Sequence, residues 1–202
     1  MPDIKHFDPD ATLDTVLGLF WRQGMASTGV QDIVAATGLN RSSLYATFGG
    51  KHELYLAALR RYVDQRSQPM LQRLSGDERG LPAVSEFFAG LIKTRCSGEY
   101  ARWGCMVANA HAGVENGDDE VRAILDRHHR SLRQALLAAL AAAGDRHQLA
   151  PGVGIEGAAE MLALLAYGVN IRSRAGADAR ELETTVNVAL ASITDRAGDL
   201  GV

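Results

Sequence analysis

Residues 30–51 read Val-Gln-Asp-Ile-Val-Ala-Ala-Thr-Gly-Leu-Asn-Arg-Ser-Ser-Leu-Tyr-Ala-Thr-Phe-Gly-Gly-Lys. Two short helical patterns meet there at one glycine. Gln31 to Thr37 turns Ile33 and Val34 inward. Gly38 stands where a helix C-terminus takes a left-handed residue. Leu39 can plug the joint, and Asn40 is a good N-cap for the next helix. Arg41 to Thr47 carries Leu44 inward, with Phe48 just past its end, and leaves Arg41, Ser42, Ser43 and Tyr45 facing out. A buried helix, a tight turn and a helix with an exposed hydrogen-bonding face make a helix-turn-helix, whose second helix fits the DNA major groove.

Outward from this motif, helical periodicity runs the length of the chain with no convincing alternating strand, so the fold class is all-α. Asp8 can cap a first helix that carries Pro9 in its first position, buries Leu13, Val16, Leu17 and Phe20, and ends at Gly24. A fourth helix starts near Lys51 and is expected to kink or break at Pro69. Further helical stretches span residues 82–95, 103–112, 119–143, 154–174 and 179–194. This divides the chain into an N-terminal three-helix helix-turn-helix domain, residues 6–66 with the recognition motif at 29–48, and a C-terminal helical ligand-binding and dimerisation domain, residues 67–202.

Composition is that of an ordinary globular protein, 47% hydrophobic and 22% charged. The formal net charge of −3 does not announce a nucleic-acid binder, but residues 20–66 hold six basic against three acidic residues and set a local positive field around the motif. The opening residues show no export signal, and the longest apolar stretch, Met161 to Val169, is far short of the roughly 20 residues of a membrane span. Cys96 and Cys105 make a poor disulfide framework, so a cytoplasmic chain with reduced thiols is expected. The last two helices carry apolar stripes among small residues. Leu162, Leu165 and Val169 on one, and Leu182, Val186, Leu190 and Ile193 on the other, are expected to form a four-helix interface across a two-fold axis. Packing within one chain is the alternative.

Gly38 to Phe48 followed by Lys51-His52-Glu53-Leu54 resembles the DNA-binding domain of the tetracycline-repressor (TetR) family of bacterial transcriptional regulators. The likeness covers residues 9–60; Val34 departs from the alanine common in the family. Gly104 to Asn109 and Tyr167 to Asn170 resemble one subgroup of family C-terminal domains, some of them thiol- or aldehyde-responsive. The resemblance implies that Thr28 touches a phosphate and that Gln31 joins the DNA surface. It places Asn40, Arg41, Ser42 and Ser43 at the major groove. Tyr45 would reach the backbone, and Lys51 would meet a phosphate at a helix start. Physical chemistry fits these roles: phosphates bind helix N-termini and hydroxyl or ammonium donors, while Arg41 could read guanine and Asn40 adenine. Phe48 is read as core, and Tyr45 can equally be core. The implied partners are a double-stranded operator, a small-molecule inducer and a second copy of the chain, with half-sites about 34–36 Å apart or a multiple of that.

For the inducer, apolar walls could come from Trp103, Phe87, Phe88, Leu91, Met106, Tyr62 and Tyr167, and polar anchors from Asn109, His128, Asn170 and Arg174. Cys105, at the start of a short helix and near Arg102 in sequence, is a candidate sensing thiol; a buried apolar role is the alternative. Gly152 to Gly157 spells G-x-G-x-x-G but follows no strand, so it reads as loop plus helix start. His128 and His129 are adjacent and face different directions on a helix, which leaves no metal site, and no cofactor or catalytic group stands out. An all-helical small-molecule-binding enzyme and a dimeric interaction module without an operator remain rival readings.

Overall fold

The computed structural model describes residues 7–195; residues 1–6, on which the export-signal reading partly rests, and 196–202, where the expected second domain ends, lie outside that range. Helix α1 (Pro9–Gln23) starts as expected, with the Asp8 carboxylate accepting from the Asp10 and Ala11 amides. Helix α2 (Val30–Thr37) ends on Gly38 at φ 68°, a conformation that costs glycine little. Helix α3 (Arg41–Phe48) includes Phe48, which the sequence places one step beyond it.

Helix α4 (Lys51–Tyr62) runs through a π-helical turn, Val63–Ser67, into α5 (Gln68–Ser75). The expected break at Pro69 is therefore a widened turn instead. Pro69 has no N–H to offer and its ring crowds the carbonyl four residues back; a wide turn just before it relieves both faults without ending the helix. Helix α6 (Leu81–Cys96) follows, then α7 (Met106–Ala112), which begins three residues later than the sequence suggests. Trp103, Gly104 and Cys105 form its lead-in, with Arg102 at φ 64° and Gly104 at φ 66°. The long α8 (Asp119–Asp145), α9 (Ile155–Arg174) and α10 (Ala179–Ala191) complete the body. Gly154 caps α9, in keeping with the loop-plus-helix reading of the glycine motif. Among the described residues the only extended pairing is a single bridge between Leu149 and Thr194.

The core falls into two clusters that do not follow the expected domain boundary. One joins the α5, α6, α8, α9 and α10 faces around Phe88, Leu136 and Leu162. The other holds Phe20, Ile33, Leu44, Leu54 and Tyr62 of the reading head together with Met106, Val107, Val121 and Leu125 of the body. The head is thus packed on α7 and the first turns of α8, and shares their core.

Five of the seven residues expected at a dimer interface lie in this internal core. Leu162, Val169, Leu182, Val186 and Ile193 are all buried within the chain, and Leu165 and Leu190 are partly buried. The apolar side chains that α9 and α10 leave open are Met161, Leu164, Ile171 and Val188. Helix α9 is apolar on two faces, and periodicity alone picked the one that faces inward.

One close approach sets the angle between α6 and α8. Gly80, the N-cap of α6, sits at φ 77°, and a Cβ there would meet the Ala143 Cα at 2.7 Å and the Gln148 Oε1. Gly80→Ala is expected to destabilise the protein by roughly 3 kcal/mol, the sum of a strained backbone and an overpacked contact, read as a lower urea midpoint at unchanged m-value.

Candidate DNA interface and inner cavity

The turn between α2 and α3 is built by side chains that serve the backbone first. The Asn40 Oδ1 accepts from the Ser43 amide at 2.8 Å. That cap engages the oxygen a two-point contact to adenine would use and holds the side chain against the backbone, while its amide donor stays free. Arg41 and Ser42 are exposed in the first turn of α3, and Ser43 and Tyr45 are half-buried beside them. The Arg41 guanidinium stands 5.1 Å from the Tyr45 ring centroid, a contact that presents the charge rigidly. Lys51 is the first residue of α4, where the helix N-terminus adds its partial positive charge. Gln31 is exposed on α2. Thr28 does not stand on this surface: it is 0% exposed, and its hydroxyl donates to the Gly24 carbonyl at 2.7 Å. Its hydroxyl closes the α1–α2 corner and is withheld from a phosphate.

The field around this face is set by which charges are already paired. Arg61 is held by Asp14 and Asp10 of α1, at 2.6 and 2.8 Å, and depresses the Asp14 pKa. Arg41 and Lys51 enter no ion pair among the described residues and stay available to phosphates or bases.

Behind the head, the π turn, α5, α6, the lead-in to α7, α8 and α9 enclose a cavity of about 30 Å³. Of the expected ligand residues, Phe87, Leu91, Cys105, His128, Tyr167 and Asn170 line it. Tyr62 stands one step away, its hydroxyl accepting from Arg95 and lying in reach of the Cys105 thiol. Phe88 is 0% exposed in the body core, and Met106 packs under the head. Trp103, Asn109 and Arg174 belong to a different construction. Asn109 Nδ2 and Arg174 Nη1 both donate to the Trp103 carbonyl, and Arg174 Nη2 donates to the Arg22 carbonyl at 2.9 Å. These groups fasten the end of α1 to α9 and lie off the cavity. Cys105 is 6% exposed, and Arg102 turns away from it toward Gly176. Sequence reasoning missed Arg95, although its place seven residues after Phe88 and four after Leu91 puts it on the buried stripe of α6.

His128 on the cavity wall has two further histidines, His111 and His129, close by. Among the described residues, no group of His, Cys, Asp or Glu side chains is arranged to hold a metal ion. Burial, with the neighbouring His111 and His129, pushes the His128 pKa down to about 4. His111 is likewise lowered, chiefly by burial.

Geometry of this kind, a helix-turn-helix head sharing its core with a helical body, is that of a DNA-binding protein. Comparison with known proteins agrees. The family model "Bacterial regulatory proteins, tetR family" matches residues 13–58, and "Tetracyclin repressor-like, C-terminal domain" matches residues 80–189. The chain belongs to the TetR family and is a DNA-binding transcriptional regulator. It is 29% identical over 179 residues to the HTH-type transcriptional repressor ComR of Escherichia coli, covering 88% of this chain and 85% of that one. It is similar in structure to the TetR family regulator CifR solved with 26-bp operator DNA, with a TM-score of 0.79 and 26% identity over 93% of this chain and 98% of that one. Reduced E. coli NemR shares the fold, with a TM-score of 0.79 and 19% identity over 93% of this chain and 97% of that one. No described helix is long and apolar enough to cross a membrane.

His128 gives a pH test of the body. Its folded pKa of about 4 lies below the unfolded value of 6.5, so the unfolded state takes the proton first. Stability is whole above pH 6.5 and falls as pH drops toward 4, by about 2 kcal/mol at pH 5 from this group alone. Urea unfolding at pH 7.5 and 5 should show His128→Leu losing about that much less than wild type.

Proposed function

We propose that the protein is a homodimeric repressor that acts in the cytoplasm and leaves a pseudo-palindromic operator when a small molecule, or modification of the Cys105 thiol, reaches the inner cavity. The observation that carries this reading is α3, whose exposed Arg41 and Ser42 flank half-buried Ser43 and Tyr45, with Lys51 at the next helix start. Its repressor sense draws on the similarity to ComR, named a repressor. The likeness to operator-bound CifR supports the DNA partner. The expected division into residues 6–66 and 67–202 is kept as a division of labour, reading and regulation, across a shared core.

In this reading Lys51 positions and Arg41 specifies. Lys51→Ala should weaken binding to every duplex and flatten the salt dependence by about one unit of slope. Arg41→Ala should cost the preferred site roughly 1–3 kcal/mol and relax the base preference beneath it. Selection of bound duplexes from a random pool tests the whole reading. Enrichment of a two-fold symmetric sequence supports it, and failure to enrich any sequence at physiological salt leaves the enzyme or interaction-module alternatives.

The dimer face in this reading is the outer one, Leu164 and Met161 on α9 with Val188 on α10, which are exposed in the single chain. A patch of this kind marks an interface. Leu164→Glu combined with Val188→Glu should give a folded monomer by light scattering, with operator binding weakened at least about tenfold through loss of the paired half-sites.

A further inference from the structure

The inner cavity contains a buried cation without an anion. Arg95 is 8% exposed. Its Nε donates to the Asn170 Oδ1 at 2.8 Å, its Nη2 to the Tyr62 hydroxyl at 3.0 Å, and its guanidinium carbon stands 5.6 Å from the Trp21 ring centroid. All three partners are neutral. The ion pairs among the described residues all lie elsewhere. Two of the five guanidinium donors are used in the two hydrogen bonds. A buried charge with no counter-charge is costly, and a chain that needed only packing here would do better with an apolar side chain.

The rest of the wall says which anion would suit this cation. His128 is 7% exposed, and its Nδ1, like the Tyr167 hydroxyl, is buried with no hydrogen-bond partner. Both residues line the same cavity as Arg95. Met70, Leu71, Phe87, Leu91, Leu132 and Ala166 supply the apolar part of the wall, which Ser67 and Cys105 also join. The cavity therefore sets one positive charge and a few polar groups in a mostly apolar wall.

We propose that this cavity is a binding site for a small organic monocarboxylate, its carboxylate on Arg95 and its hydrocarbon tail against Met70, Leu71, Phe87 and Leu91. A guanidinium matches a carboxylate in charge and in its two-point geometry. A doubly charged phosphate ester is a poorer fit. His128, kept neutral by burial, adds a hydrogen-bonding group and no second charge, so one negative charge would stay uncompensated in an apolar chamber.

The route in is also on the molecule. His128 borders both this cavity and an open groove of about 490 Å³ between α4, the π turn and α8, where Arg60 and Arg127 stand near Asp64 and Glu120. At about 30 Å³ the cavity holds about one water, so an entering ligand must displace Met70 and His128. This inference rests on the reading of the inner cavity as the regulatory site, and names what it takes.

Calorimetric titration of the intact protein with acetate, butanoate and hexanoate, against the matching primary amides at equal ionic strength, tests it without DNA. Saturable binding of butanoate or hexanoate at least tenfold tighter than its amide is expected, together with a rise in Tm. Arg95→Met should abolish the preference for the acid over the amide. Leu91→Trp, which fills the apolar part and leaves the charge alone, should abolish binding of hexanoate. Equal affinity for acid and amide, undiminished carboxylate binding by either variant, or no saturable carboxylate binding would overturn the proposal. Operator binding measured separately distinguishes this outcome from failure of the repressor reading.

Discussion

The Trp21 indole is the joint on which the rest of the molecule depends. It is 2% exposed at the end of α1, and its Nε1 donates to the Gly104 carbonyl at 3.0 Å. Tyr62, Tyr100 and Trp103 surround it with ring centroids 4.9, 4.9 and 5.2 Å away, and Arg95 lies over its face. Aromatic contacts at these distances prefer particular angles, so the cluster resists gradual sliding. Two charged ties reinforce it. Arg174 caps the carbonyls at the end of α1, where a cation is favoured, and the Glu115 carboxylate accepts from the Met25 amide at 2.9 Å in the loop beyond. A third tie reaches α4, where the His52 Nε2 meets the Asp118 carboxylate that caps α8, at 2.8 Å. The head thus keeps or changes its pose as a unit.

This arrangement connects the cavity to the reading face by short, named steps. Arg95 touches Tyr62 of α4 and Trp21 of α1 at once. Any group that draws the guanidinium inward acts on both helices that carry the head. Tightly packed interfaces answer such a pull by switching arrangement more readily than by bending, which is the physical content of a two-state regulator. The π turn is well placed for this: it forms part of the cavity wall through Ser67 and continues the very helix that starts with Lys51.

The reading head was legible in the sequence because its signals are local. Asp8, Gly38 and Asn40 each announce a helix end by a backbone requirement, and each sits where that requirement predicts. The DNA-facing set was legible only in part. Thr28 and Asn40 carry donors and acceptors suited to DNA, but Thr28 spends its hydroxyl on the backbone and Asn40 spends its oxygen there. Sequence shows what a side chain can offer and is silent on prior commitments within the fold. The cavity was legible by half for the same reason. Aromatic and apolar residues of one helical stripe are interchangeable as core or lining until the neighbouring helices are placed, so Phe87 and Phe88, adjacent in sequence, have different fates.

The outer face of α9 shows the limit of periodicity most clearly. Leu162 and Leu164 are two residues apart, on faces about 200° around the helix from each other. The first is 0% exposed and the second 60%. Both stripes are apolar and both are lined with small residues, so spacing cannot rank them. What ranks them is the body's own need: α6, α8 and α10 require one stripe to close the internal core, and only the remainder is free for a partner. An apolar helix that leaves Leu164 bare against water has unfinished burial, and under the proposed reading, in which each chain's head addresses one half-site, a second copy would satisfy both demands together.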